Sequence, residues 1–118
     1  MTTSNNKADY IHNRKVFEIV QTTVSSGAGL TTLYYALDPR KLSSIMVDKN
    51  AETATISVTN MFHSSGDLEN AGTFWVELDA TATDYIAGDS KGLVGVKIVT
   101  TPAASDVNIN ILQYEEGK

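Results

Sequence analysis

The side chains that could carry chemistry in this chain are few, and most fall in loops. His63, Ser64, Ser65 and Asp67 lie side by side in the segment HSSGD. They offer an imidazole, two hydroxyls and a carboxylate, the groups of a nucleophilic triad. A triad needs those groups to converge from separate parts of a fold, and neighbours on one loop rarely orient that way. The segment therefore reads as a turn, and the second histidine, His12, stands far away in the N-terminal segment.

Asp79, Asp84 and Asp89 recur through DATATDYIAGDSKG and would supply the oxygen donors a hard cation takes. Their spacing matches no EF-hand loop, and Asp, Gly and Ser are what turns between strands are made of. GAG and GDSKG lack the P-loop and dinucleotide patterns, and no helical segment follows either. Adjacent Glu115 and Glu116 are not a pair of carboxylates held across a cleft, which general acid/base work requires. We assign no catalytic residue, no cofactor and no metal site, and the chain is expected not to be an enzyme.

Recognition is the remaining chemistry. In TFWVELD, alternation sets Trp75 on the face that carries Thr73 and Glu77, and Tyr34 takes the same kind of position between Thr32 and Ala36. Large aromatics on a polar face suit protein interfaces or sugar-stacking platforms; a loop of the same domain lying over the face is the plainer alternative. Phe17 and Ile19 join them as interface candidates, because KVFEIVQTTV has apolar residues on both faces. Tyr10 and Ile11 complete the set from the N-terminal segment.

The elements that would hold these residues read as strands. KVFEIVQTTV is followed by the glycine-containing SSGAG and by LTTLYYAL, a hairpin pattern. DPRKLSS, with room for a single helical turn at Pro39 to Leu42, leads into SIMVD. TATISVTNMFH then alternates, with Ala54, Ile56, Val58 and Phe62 on one face. TFWVELD places Phe74, Val76 and Leu78 inward, and a brief strand is expected at Tyr85 and Ile86. The last segment, VKIVTTPAASDVNINILQYEE, reads as a closing hairpin with Val94, Val96 and Ile98 inward on its first strand and Val107, Ile109 and Ile111 inward on its second.

About seven strands, with turn signals every ~8 to 14 residues and no amphipathic helix, predict an all-β single antiparallel β-sandwich, with a small β-barrel as the alternative. Residues 1–13 are polar and aperiodic and read as a flexible N-terminal arm; residues 14–118 form the sandwich domain.

Composition agrees with one folding domain. The chain has 118 residues, 42% of them hydrophobic and 19% charged. Much of its polarity comes from Thr, Ser and Asn, and β-branched Thr suits a pleated, half-exposed surface. The net charge of −5 comes without a Lys/Arg cluster, which disfavours nucleic-acid binding. Zero cysteines leave neither disulfides nor thiolate metal sites. No stretch approaches the ~20 apolar residues of a membrane helix, and no apolar signal segment opens the chain, so synthesis in the cytosol is expected.

With its β-sandwich pattern, polar arm, lack of cysteine and ending GLVGVKIVTTPAASDVNINILQYEE, the chain resembles small structural virion proteins of tailed bacteriophages, in particular capsid cement or decoration proteins. That resemblance implies a compact β-domain, commonly trimeric, on the outside of the virion shell, where it clamps the major capsid protein by surface complementarity. It transfers no site residue, and tail, adaptor and fibre proteins share the same style. A carbohydrate-binding β-sandwich module, with Trp75 and Tyr34 as stacking platforms, is the alternative from a different functional class.

Overall fold

The computed structural model describes residues 2–10, 15–61 and 68–115, with side chains from residue 18 onward except at residue 89. The elements are nine strands: β1 (Thr2–Tyr10), β2 (Lys15–Val24), β3 (Thr31–Ala36), β4 (Leu42–Asp48), β5 (Ala54–Thr59), β6 (Val76–Asp79), β7 (Tyr85–Lys91), β8 (Gly95–Thr100) and β9 (Val107–Tyr114). They form a five-stranded sheet in the order β1-β2-β9-β4-β7 and a four-stranded sheet in the order β3-β8-β5-β6. Every paired neighbour is antiparallel. The all-β sandwich expected from the alternation is the fold. Strands β2 to β9 follow the order of a double-sheet jelly roll, and β1 extends its edge.

Alternation makes the core. Ile56, Val96 and Ile98 face inward from the four-stranded sheet, and Ile45, Val47, Val107, Ile109 and Ile111 face them from the other, none more than 2% exposed. Val94 is buried too, and Val58 packs half-buried against the cluster. Each such side chain contributes roughly 1.5 to 3 kcal/mol of transfer free energy. Three residues expected inward do not follow. Phe74, Val76 and Leu78 are 72%, 49% and 42% exposed. They lie on and beside β6, the last strand of its sheet, where a register shift opposite Ile56 and Ser57 interrupts the ladder. At this edge of the sheet the inward-type face is left exposed. Phe62 lies outside the described residues.

The two sequence hairpins are corrected in the same way. β8 and β9 belong to different sheets, as do β2 and β3. The segments that looked like hairpin turns are arches that carry the chain across the core. The reason is in their hydrogen bonds. The Glu52 carboxylate accepts the backbone N–H groups of Ala103, Ala104 and Ser105 at 2.7, 3.2 and 3.2 Å. The buried Pro102 offers its carbonyl to the Gly27 N–H at 2.8 Å, and Asp106 accepts the Ser26 N–H at 2.8 Å. Gly27 and Gly29 have φ of +79° and +82°, which a residue with a Cβ adopts only under strain. Arch groups that would otherwise be unpaired are thus tied to one another at one end of the sandwich.

A third arch joins β4 to β5. It is a tight turn closed by Glu52 N–H to Lys49 O at 2.8 Å, with Asn50 and Ala51 at φ of 49° and 68°. Asn tolerates that region; Ala bears strain there. At Pro39 to Leu42 the chain makes a turn, with Lys41 N–H donating to Asp38 O at 3.1 Å, and β4 starts at Leu42. Gln113 on β9 holds this turn by accepting from Asp38 N–H at 3.1 Å and donating to Asp38 O at 3.0 Å. Within the expected arm, Thr2–Tyr10 runs antiparallel along β2 as β1.

Candidate functional site

On the outer face of the four-stranded sheet the register aligns Tyr34, Lys97, Ser57 and Glu77 in one row across β3, β8, β5 and β6. Trp75 immediately precedes β6, on the same side as Glu77. The result is a cluster: the rings of Tyr34 and Trp75 stand 6.0 Å apart between centroids, tilted by 52°, and Lys97 Nζ lies 5.1 Å from the indole centroid. A cation over an indole is attracted by the ring's negative face. Ser57, between them in the row, is only 5% exposed. The face is partly covered from within the domain as well. Gly95 lies so close to Leu68 that an added Cβ would come within 2.8 Å of its methyl groups.

Sequence pattern placed Trp75 and Tyr34 on a polar face; the tertiary structure brings them together and adds Lys97. Ile19 is half-buried on β2. The side chains of Phe17 and Tyr10, and all of Ile11, lie outside the described residues. So do His12 and the segment HSSGD.

Next to this cluster runs the apolar edge of β6, formed by Phe74, Val76 and Leu78, with Met61 37% exposed nearby in sequence terms to β5. Its far end is anchored by a group that sequence reasoning missed. Lys49 is 0% exposed. Its ammonium donates to Ala54 O at 3.0 Å, to Thr81 O at 2.7 Å and to the Asp79 carboxylate. All three ammonium protons have acceptors, which is what permits a charge in the interior. Lys49 N–H also donates to Asp84 Oδ1 at 2.8 Å, and Thr81 Oγ1 donates to Asp79 Oδ1 at 3.2 Å. The hydrogen bond from Lys49, with its charge, holds the Asp79 carboxyl below the usual carboxylate range. Two of the three acidic residues weighed as cation donors are thus engaged by one lysine. No local signal marks Lys49, since DKN reads as an ordinary polar turn. Among the described residues no group of three or more His, Cys, Asp or Glu is placed to hold a metal ion, and no helix is long and apolar enough to cross a membrane.

No family model and no curated protein matches the chain. A likeness exists to a chain from a solved structure described as "Bacillus endospore appendages form a novel family of disulfide-linked pili", with a TM-score of 0.47, 16% identity, and coverage of 86% of this chain and 87% of that one. The present 118 residues contain no cysteine.

Proposed function

We propose that the chain is a non-enzymatic structural subunit of the capsid-cement type, which self-associates as a homotrimer and clamps a major capsid protein at the virion surface. The observation that carries the reading is the apolar rim at β6, where Phe74 is 72% exposed beside Val76 and Leu78. A small domain gains little from such a strip unless another surface covers it. The resemblance to phage virion proteins supplies the kind of partner. In the test, shells lacking the protein are mixed with the full chain or with a Phe74→Ser variant and then heated. Binding by the full chain, with a higher disruption temperature that Phe74→Ser fails to give, is the expected result. No binding, or equal shell stability with and without protein, overturns the cement role.

The cluster of Tyr34, Trp75 and Lys97 favours a second reading, a glycan-binding sandwich. Jelly rolls include both viral capsid and lectin domains, so the fold is an analogy to each. Trp75 is the sole tryptophan, so its fluorescence reports directly on that surface. Saturable quenching by a glycan that Trp75→Ala abolishes, together with no shell binding, would transfer the function to this reading.

A further inference from the structure

A groove of about 440 Å³ opens between the inner face of β2 and β9 and the edge of β3, with Thr22, Tyr35, Ile111 and Gln113 among the residues lining it. Two features distinguish it. Thr22 is 2% exposed, yet its Oγ1 has no hydrogen-bond partner, and the buried hydroxyl of Tyr35 has none either among the described residues. The Tyr35 and Thr22 hydroxyls interact with one another, but outside ordinary hydrogen-bond geometry. Two buried hydroxyls without a well-formed hydrogen bond beside one groove leave a place for a further polar partner.

The second feature is the edge of β3, the last strand of its sheet, which no strand among the described residues covers. Leu37 N–H donates to Val94 O on the β8 side at 2.8 Å. Alternation along an antiparallel strand then turns the backbone groups of Thr32, Tyr34 and Ala36 to the unpaired side. The sheets are also unequal, five strands against four, and the extra strand, β1, extends the five-stranded sheet beyond β2, which lines the groove together with β3. One strand added beside β3 would equalise the sheets and cover the groove.

We propose that this groove accepts the N-terminal strand, residues 2–10, of a second copy of the chain, added to β3 by main-chain pairing. The inference rests on the assembly reading above and names the surface through which copies join. β1 is a suitable donor because its outer edge has no partner strand among the described residues, so it can pair with β3 of a neighbour while staying on its own β2. A strand of this length laid along β3 and over the groove covers on the order of 1,000 Å² in total, the threshold for a specific contact. The two edges are different surfaces of the chain, so the contact is head-to-tail and closes into a ring, a trimer included, where the rotation allows.

The test uses the full chain. Thr32→Pro removes an N–H from the free edge, a change an edge strand tolerates, so the melting temperature should hold while association weakens by roughly tenfold or more in sedimentation. Because the chain has no native cysteine, a tagged Thr32→Cys chain can be mixed with untagged chains carrying one cysteine at each of residues 4–8 in turn. A tagged–untagged disulfide dimer at one register and not at its neighbours is expected. Association unchanged by Thr32→Pro, with no selective cross-link, overturns the groove as the junction and leaves the assembly reading standing. A chain that stays monomeric at high micromolar concentration overturns both.

Discussion

Lys49 and Phe74 break the usual rule of burial in opposite directions. The lysine is 0% exposed at the arch end of the sandwich, and the phenylalanine is 72% exposed at the rim beside β6. Both are connected to the same strand, since Lys49 grips Asp79 at one end of β6 and Phe74 stands just before the other. Residue type decides neither case. A buried ammonium is tolerated because three oxygens surround it, and the apolar side chain is exposed beside an edge strand whose ladder is interrupted. One end of β6 is therefore fixed, and the other is available for contact.

The largest expected effect comes from removing the buried cation. Lys49→Ala would leave Ala54 O and Thr81 O unpaired and empty the space of the stem, costing about 3 to 5 kcal/mol in a denaturant titration. A loss below about 1 kcal/mol would mean that the ammonium is not enclosed in solution. A matched pair of truncations follows. Ile56→Ala, at a 0% exposed site, should cost about 2 to 5 kcal/mol, whereas Phe74→Ala should stay within about 0.5 kcal/mol in the dissociated chain. Comparable losses at both sites would show that the rim is covered.

Smaller effects sharpen the picture of the arch end. Ala51, at φ of 68°, should accept Gly with a gain of roughly 1 kcal/mol, because glycine removes the left-handed strain. A destabilised Ala51→Gly variant would argue that the turn is shaped otherwise. The Glu52 carboxyl is held below its ordinary value of 4.5 by the N–H groups of Ala103, Ala104 and Ser105. A depressed folded value means that its contribution is complete above pH 4.5 and is lost as pH falls through the lower, folded value. Melting curves of the parent and Glu52→Gln should accordingly differ at neutral pH and converge in acid. Parallel curves across that range would remove Glu52 from the acid response.

Strand character was plain in the sequence, and so was much of the core. β-branched runs with period two marked the segments that became β2, β3, β4, β5, β8 and β9, and put Ile56, Val96, Ile98, Ile109 and Ile111 inward. That information is local, because alternation is a property of one extended backbone and steric preference acts at each residue. The facing of Trp75 and Tyr34 was legible for the same reason. Their meeting with Lys97 was not, because it depends on register between strands far apart in the chain.

What only the tertiary structure decided is which faces are covered and which strands pair. SSGAG and TTPAASD have the composition of hairpin turns, yet both became arches, because Glu52, Asp106 and the Gly27–Pro102 bond reward a path across the core. Leu78 and Ile98 belong to equally good alternating runs; one is 42% exposed and the other 0%. Lys49 looked like a turn residue and became the most enclosed charge, since its acceptors come from Ala54, Asp79 and Thr81, brought together only by the packing of β4, β5 and β6. A chain can encode through its period that a residue points to one side, but whether anything waits on that side depends on segments distant in sequence, and burial follows from that encounter.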